Sequence, residues 1–211
     1  KRRSKKPKQS KKVDLEQKEL VAQKIEYDTH AIEREANVLF KPNSGPQTEF
    51  LAAPEREVLY GGSAGGGKSY AMLADPLRFM GHPAFSGLLL RHTTEELREL
   101  ISKSQELYPK VWPGIKWSER KMQWTAPSGA RLWMSYLDRD DDVMRYQGLA
   151  FSWIGFDELT QWPSPYAWNY MRSRLRSTAP DLEVYMRATT NPGGPGHGWV
   201  KKMFIDPAPY D

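Results

Sequence analysis

The stretch from Gly62 to Ser69 constrains the fold of this chain more than any other. It matches the pattern G-x-x-x-x-G-K-[ST] in full, with an apolar segment before it and a helix-forming segment after it. Glycines let consecutive backbone N–H groups curl around phosphate oxygens without Cβ clashes. We expect Lys68 to reach the β- and γ-phosphates and the Ser69 hydroxyl to ligate Mg²⁺. The predicted phosphate-binding residues are Gly62, Ser63, Ala64, Gly65, Gly66, Gly67, Lys68 and Ser69.

Apolar segments of strand length alternate with helical segments from this loop onwards. The predicted strands are 57–61, 87–91, 151–156 and 183–188, the predicted helices are 68–79, 94–107 and 165–175, and a β-hairpin is predicted from 121–125 and 130–137. Either Thr93 or Thr94 is expected to cap the second helix. Such alternation favours an α/β domain with a mostly parallel central sheet flanked by helices.

Two acidic residues, Asp157 and Glu158, end the apolar strand 151–156. In a P-loop fold, Asp157 is expected to meet the Mg²⁺ shell beside Ser69. Glu158 is expected to act as the general base that polarises the attacking water. The alternative interpretation is a solvated Asp-Glu turn. A catalytic Glu beside the metal Asp is typical of motors and helicases, so the pair predicts a P-loop NTPase of the RecA-like (ASCE) class, whereas the Asn-Lys-x-Asp motif of GTPases is missing.

The strand at 183–188 runs into Thr189, Thr190 and Asn191. Small polar residues at a strand end beside a nucleotide can sense the γ-phosphate by hydrogen bonding. An ordinary Asn-Pro-Gly turn is the alternative interpretation.

Taken together, these segments resemble the ATPase domain of tailed-bacteriophage terminase large subunits, the motors that package DNA into procapsids. The resemblance spans roughly residues 46–204. The segments that carry it are Leu59 to Ser69, Leu88 to Arg91, Tyr146-Gln147-Gly148, Trp153 to Glu158, Thr189 to Pro192 and Gly194 to Phe204. It implies that Thr189, Thr190 and Asn191 form a coupling motif, and that Gln47 contacts adenine. For Gln47, a surface residue after a turn is the alternative.

The resemblance also implies an activity and a set of partners. The implied activity is Mg-ATP hydrolysis coupled to translocation of double-stranded DNA into a procapsid, with ATP and Mg²⁺ as cofactors. The implied partners are double-stranded DNA, further copies of the chain in a ring (a pentamer by family resemblance), the portal protein and the terminase small subunit. The implied location is the host cytoplasm, with transient docking on the procapsid. A P-loop helicase or other nucleic-acid translocase, and a non-catalytic nucleotide-dependent binding module, are the alternatives.

An arginine finger is the one expected part that the phosphate loop lacks. Some members of the resembling family place an arginine inside this loop, but the variable positions here are Ser63, Ala64, Gly65 and Gly66. A finger stabilises the charge that develops on the γ-phosphoryl group. It must come from elsewhere, for example from a neighbouring subunit. Arg145 is the first candidate as a catalytic residue of this kind, followed by Arg139 and Arg91.

Positive charge is concentrated at the start of the chain. Residues 1–12 carry eight lysines and arginines and no acid, while the remainder carries 23 basic and 26 acidic residues. We therefore predict a disordered basic tail at 1–12, which is either a solvated terminus or a nucleic-acid-binding arm. A helical segment and linker are predicted at 13–45, and the ATPase domain at 46–211.

Several other functions are not expected. The chain has no cysteine, which excludes disulfides and thiolate metal sites, and no apolar run approaches the ~18 residues of a membrane span. The resemblance implies an RNase H-like nuclease domain after the ATPase domain of the full-length protein, but no nuclease activity is expected from this sequence. The clustered acids Asp138, Asp140, Asp141 and Asp142 are interpreted as a solvated loop.

Overall fold

A computed structural model describes residues 40–63, 65 and 67–207. The predicted basic tail at 1–12, residues 13–39 of the predicted helical segment, and Ala64 and Gly66 of the phosphate loop lie outside the described residues. The chain from Pro42 onwards forms one unit. In that described part, none of the helices combines the length and the apolar character needed to cross a membrane.

Within the described residues, seven strands form the central sheet. They are β1 (Glu57–Tyr60), β2 (Ser86–Arg91), β3 (Lys116–Ser118), β4 (Gln123–Thr125), β5 (Arg131–Tyr136), β6 (Trp153–Phe156) and β7 (Tyr185–Thr189). Their order in the sheet is β1-β7-β6-β2-β5-β4-β3. The first five strands in that order are parallel, and β4 and β3 are antiparallel additions at one edge. Because β7 separates the phosphate-loop strand β1 from the acidic strand β6, the predicted ASCE class of P-loop fold is confirmed.

Five α-helices flank the sheet in the described part of the chain. They are α1 (Pro46–Ala52), α2 (Lys68–Ala74), α3 (Thr94–Val111), α4 (Tyr166–Arg172) and α5 (His197–Phe204). The predicted helix at 68–79 changes to a 3₁₀ helix at Asp75–Phe79, because Pro76 has no N–H to donate to the preceding turn. Thr93 caps α3 through a reciprocal capping box with Glu96, which confirms the predicted start of that helix.

Two buried apolar clusters cover the two faces of the sheet. In β2, Leu89 belongs to one cluster while Leu88 and Leu90 belong to the other, as expected for a strand whose successive side chains point to opposite faces. Helices α1, α2 and α3 contribute to the first cluster, and α4 and α5 contribute to the second. Burial on both faces explains why residues 87–90 of β2 and all of β6 lack polar side chains.

Gly155 allows the phosphate-loop helix to pack closely against the acidic strand. A Cβ atom at this position would lie 2.8 Å from the Met72 sulfur of α2 and 2.3 Å from a ring carbon of Trp153. A side chain here would push α2 and β6 apart. The glycine therefore leaves room for the Met72 and Trp153 side chains where α2 packs on β6.

Candidate active site

The phosphate loop connects β1 to α2 and curls around Lys68. Gly62, Gly65 and Gly67 have φ angles of 138°, 86° and 71°, a region that glycine adopts without a Cβ penalty. The Lys68 ammonium is buried and donates to the carbonyl oxygens of Gly62 at 3.0 Å and Ser63 at 2.7 Å. The described loop residues therefore lie around the lysine as the sequence predicts.

Gln47 of α1 is buried beside the end of this loop and is not a surface residue. Its side-chain oxygen accepts a hydrogen bond from the Asn43 N–H at 2.6 Å, and its Nε2 donates to the Gly67 carbonyl at 2.9 Å. A Cβ atom on Gly67 would lie 2.7 Å from Gln47 Nε2, so this glycine is needed for the close approach. Gln47 thus contacts the end of the phosphate loop, while its place in a nucleotide site and its contact with adenine stay predictions.

Asp157 lies fully buried immediately after β6, and its two oxygens have different partners. The Thr189 hydroxyl donates to Oδ1. The Ser69 hydroxyl donates to Oδ2 at 3.4 Å, and the Arg91 guanidinium contacts the same oxygen at 2.7 Å. The predicted metal pair, Ser69 and Asp157, is therefore together, and Arg91 is a neighbour that the sequence analysis did not foresee there.

The Ser69–Asp157 pair fits Mg²⁺ by its chemistry. Magnesium prefers oxygen ligands and is usually held by one or two carboxylates, with phosphates and water completing the shell. The structure supplies one hydroxyl and one carboxylate oxygen within hydrogen-bonding distance of each other. Within the described ranges, no group of three or more His, Cys, Asp or Glu side chains could hold a metal without a phosphate ligand.

Glu158 turns away from Asp157 because its backbone is left-handed, with φ of 61° and ψ of 55°. This conformation is uncommon for a residue other than glycine and is often found at functional sites. Both Glu158 oxygens accept hydrogen bonds from Asn191, from its backbone N–H at 3.1 Å and from Nδ2 at 2.9 Å. The turn therefore gives the two adjacent acids separate partners.

The surroundings of Glu158 favour a basic carboxylate. Burial raises its pKa above the ordinary value, and the neighbouring charge of Asp157 raises it further. The Asn191 N–H, Arg91 and Lys68 partly oppose this rise in the pKa. A carboxylate held in place with a raised pKa suits the predicted role of a general base.

The three predicted coupling residues each bond to the acidic turn or to the residues just after it. Thr189 Oγ1 donates to Asp157 and accepts from the Glu158 N–H at 3.2 Å. Thr190 Oγ1 lies 2.7 Å from the Thr160 hydroxyl. Asn191 holds Glu158, as described above. The end of β7 is therefore tied to both predicted catalytic acids, and an isolated Asn-Pro-Gly turn does not describe it.

A cavity of about 320 Å³ opens between the phosphate loop and α3. The residues that line it are Gly65, Gly67, Lys68, Ser69, Tyr70, Lys103, Glu158 and Asn191. Most of them are predicted site residues, so the structure brings the predicted site around one space. Tyr70 of α2 and Lys103 of α3 were missed by the sequence analysis, because Tyr70 lies one residue beyond the phosphate-loop motif and no motif marks α3.

The three candidate finger arginines lie in different surroundings. Arg145 is exposed, donates to the Tyr136 and Asp142 carbonyl oxygens at 2.6 and 3.2 Å, and lies over the Tyr136 ring. Arg139 is also exposed. Arg91 is only 8% exposed and points to its own Asp157. That burial excludes Arg91 as an arginine offered to a neighbouring subunit, which corrects its place among the candidates.

The acidic cluster between β5 and β6 caps a short helix. Asp138, Asp140 and Asp141 are exposed, as a solvated loop predicts. Asp142 instead accepts hydrogen bonds from the backbone N–H groups of Asp138 and Arg139, at 2.9 and 3.0 Å, at the start of a 3₁₀ helix from Asp140 to Tyr146. The cluster thus stabilises local structure.

Several large terminases of known structure align with this chain. The large terminase of a thermophilic bacteriophage aligns with a TM-score of 0.60 and 18% identity, over 79% of this chain and 43% of that chain. The same protein in complex with ADP gives a TM-score of 0.60 and 20% identity, over 78% and 42%. The ATPase domain of the Thermus phage P74-26 large terminase gives 0.54 and 14%, over 75% and 68%. Likeness at these identities shows a shared fold, and the chain spans less than half of the first of these proteins.

Sequence comparison extends this result. No match is found among curated protein sequences. The family described as "Terminase large subunit, T4likevirus-type, N-terminal" matches residues 59–208, which is well over half of the chain. The chain therefore belongs to this family of large terminase subunits and corresponds to their N-terminal region.

Proposed function

We propose that the chain hydrolyses ATP as the motor domain of a viral packaging terminase and couples this hydrolysis to translocation of double-stranded DNA into a procapsid. One observation carries the proposal: the end of β7 bonds to both acids of the site, through Thr189 to Asp157 and through Asn191 to Glu158. A change in the bonding of either acid is thereby passed to β7. Family membership favours packaging over the helicase alternative.

Nucleotide binding uses the phosphate loop and its lysine. Lys68 exchanges its bonds to the Gly62 and Ser63 carbonyl oxygens for bonds to the β- and γ-phosphates. Ser69 and Asp157 would hold Mg²⁺, which would neutralise charge on the phosphate oxygens. The ADP complex of the large terminase from the thermophilic phage, which has the same fold, supports a nucleotide at this site.

Hydrolysis uses Glu158 as the base. Its carboxylate lines the cavity beside Lys68 and Ser69, where an attacking water would lie. The two bonds from Asn191 fix the orientation of the carboxylate. The raised pKa of Glu158 increases its affinity for the proton that the attacking water gives up.

Hydrolysis is coupled to movement because new ligands of Glu158 and Asp157 compete with the hydrogen bonds from Asn191 and Thr189. When Glu158 turns to an attacking water, its hydrogen bonds from Asn191 change with it. A metal held by Asp157 would compete in the same way with the hydrogen bond from Thr189. Thr189 ends the strand that lies between β1 and β6, and Asn191 follows it by two residues, so this segment is placed to pass that change towards Pro192 and α5. We assign to Pro192 and α5 the movement that hydrolysis drives.

The remaining partners are proposed from the family, whereas the finger is proposed because the phosphate loop of this chain carries no arginine. Arg145 is the proposed finger, supplied to the site of a neighbouring copy in a homo-oligomeric ring. The proposed partners are double-stranded DNA, the portal protein and the terminase small subunit, with the motor docked on the procapsid in the host cytoplasm. The variable positions of the phosphate loop that the structure describes, Ser63 and Gly65, carry no arginine. In the proposed ring, a neighbouring copy supplies this positive charge.

A comparison of Glu158→Ala with Glu183→Ala tests the hydrolytic site, since Glu183 is an exposed glutamate. Loss of the base should lower Mg²⁺-dependent phosphate release by about 10²–10⁴-fold while ATP binding persists. Phosphate release and ATP binding are measured on both variants. Normal turnover in Glu158→Ala would contradict the assignment of the base.

Mixing two inactive variants tests the finger. Arg145→Ala keeps an intact phosphate loop, and Lys68→Ala keeps Arg145, so a mixed ring contains sites with both parts. ATPase activity should therefore return on mixing, in proportion to the mixed interfaces. If the mixture is as inactive as its components, Arg145 is not supplied between subunits.

A further inference from the structure

We infer that Arg91 is the counter-cation of Asp157 when no metal is bound, and that it yields this place to Mg²⁺ by moving towards Glu96. The inference rests on the proposed function, because it takes Ser69 and Asp157 as the metal ligands. It assigns to Arg91 a positioning role, whereas the sequence alone suggested only an arginine finger.

The sheet brings Arg91 to Asp157. Strands β2 and β6 are parallel neighbours in which Leu90 lies opposite Phe156, so the residues that follow these positions lie side by side at the same edge. The Arg91 Nη2 atom is 2.7 Å from Asp157 Oδ2. The side chains are 9% and 0% exposed, so water provides little compensation for either charge.

Burial makes a counter-charge necessary for Asp157. A buried carboxylate that has lost its cationic partner is strongly destabilising, whereas the pair together is tolerated. The hydroxyls of Ser69 and Thr189 donate hydrogen bonds to Asp157 but carry no charge. Among the described contacts of this carboxylate, Arg91 is the cation, and a metal ion would be the alternative source of positive charge.

The metal and the arginine need the same oxygen. Ser69 Oγ and Arg91 Nη2 both meet Asp157 Oδ2, at 3.4 and 2.7 Å. A metal bound between Ser69 and Asp157 would therefore face the guanidinium across one carboxylate oxygen, and two cations there repel each other. The exchange of one for the other removes this repulsion.

Glu96 provides the place to which Arg91 moves. Its Oε1 lies 3.9 Å from Arg91 Nη1, whereas the other terminal nitrogen, Nη2, is the one that meets Asp157. The Arg91 Nε is buried and has no hydrogen-bond acceptor among the described residues, so it does not tie the guanidinium to its present position. Glu96 is itself held at the start of α3 by the capping box with Thr93.

The exchange predicts tighter metal binding when the competing arginine is removed. In Arg91→Gln, the Mg²⁺ concentration that half-saturates the binding of a fluorescent ADP analogue should fall about tenfold, a usual size for coupling between two ligands. The midpoint of thermal unfolding in EDTA should fall, and Mg²⁺ with ADP should restore it. Arg98→Gln, at an exposed arginine of α3, is the control and should change neither value.

The outcomes separate this inference from the proposed function. If the unaltered chain binds the ADP analogue equally well in EDTA and in Mg²⁺, the proposed metal site fails. If the unaltered chain depends on Mg²⁺ and Arg91→Gln leaves the half-saturating Mg²⁺ concentration within about twofold, or raises it, only the role of Arg91 is overturned.

A paired variant keeps the test valid if Arg91→Gln does not fold. The combination of Arg91→Gln with Asp157→Asn contains neither buried charge, so in EDTA it should unfold at a higher temperature than Arg91→Gln alone. A paired variant that is no more stable than Arg91→Gln would overturn the counter-cation role, because Arg91 would then stabilise the fold for another reason.

Discussion

Two buried aspartates lie at opposite ends of the β6–β7 strand pair, and they differ in the kind of partner that holds them. Asp75 meets Trp153 and Tyr185, the residues that begin β6 and β7. Asp157 follows β6 and bonds to Thr189, which ends β7. Both aspartates are fully buried, so neither is compensated by water.

The two ring donors to Asp75 are buried and held by packing. The Trp153 indole donates to Asp75 at 2.8 Å, and the Tyr185 hydroxyl donates at 3.0 Å. Arg78 contacts the other oxygen at 2.7 Å, and the buried Arg187 lies within 4.0 Å and stacks over the Tyr185 ring. Burial and the Asp75 charge raise the pKa of Tyr185, so its hydroxyl stays protonated and remains a hydrogen-bond donor.

The partners of Asp157 are groups that can turn to another ligand. Two are hydroxyls, and the third is an arginine with a second carboxylate nearby. Hydroxyl groups rotate easily, and the guanidinium can move to Glu96, so this end of the strand pair can accept other ligands. Burial alone therefore does not distinguish a functional aspartate from a structural one, whereas the kind of partner does.

Replacing Asp75 should have the largest effect on stability. Asp75→Ala leaves the Trp153 and Tyr185 donors without an acceptor and leaves Arg187 buried without a carboxylate. We expect the free energy of unfolding to fall by about 3–5 kcal/mol, the usual cost of breaking a buried pair. Urea denaturation measures it, with Asp181→Ala at an exposed position as the control. A loss no larger than that of the control would show that Asp75 is not a fixed structural partner.

Removing the Thr189 hydroxyl should have a smaller effect on stability and a clear effect on turnover. Thr189→Val keeps the shape but removes the donor to Asp157 and the acceptor for the Glu158 N–H. We expect a loss of about 1–3 kcal/mol in unfolding free energy, as for a buried polar group left unpaired. Phosphate release should also fall, because both acids lose a contact that positions them.

Thr189→Ser is the matched control, since it keeps the hydroxyl and removes one methyl group. It should retain most of the activity of the unaltered chain, even if its stability falls through lost packing. If Thr189→Val releases phosphate as fast as Thr189→Ser, the hydroxyl does not contribute to the site, and the proposed link between β7 and the acids is weakened.

The sequence predicted the surroundings of Asp157, which we call the functional end of the strand pair, better than those of Asp75, which we call the structural end. The proximity of Lys68, Ser69 and Asp157 was predictable because phosphate chemistry fixes the residue types and spacing in the loop, and because Asp157 ends an apolar strand. Their neighbour Arg91 was assigned another role, because strand order is not written in the sequence. A usable signal existed: Arg91 ends an apolar strand as Asp157 does, and parallel strands end at a common edge of the sheet.

The structural end gave no comparable signal. Asp75 precedes Pro76, and this pair in a helical segment suggests a turn or a helix end, not a buried hydrogen-bond acceptor for two distant strands. Helices α1 and α5 were also not predicted. Helix α1 has seven residues and follows a turn-like sequence, while α5 contains Gly198 and follows a glycine- and proline-rich segment, which lowers its local propensity.

The smallest of these effects is expected at Gln47, which ties α1 to the phosphate loop through the Asn43 N–H and the Gly67 carbonyl. Gln47→Ala removes both hydrogen bonds, so we expect the Kd for ATP to rise about five- to tenfold, the equivalent of one net neutral hydrogen bond. An anchor of the loop serves any nucleotide, so the Kd for GTP should rise by the same factor, whereas Gln105→Ala, at an exposed position of α3, should change neither. Binding of both nucleotides is measured by fluorescence titration. A selective loss of ATP binding would instead favour the adenine contact predicted from the sequence, and Gln47 would then recognise the base instead of holding the loop.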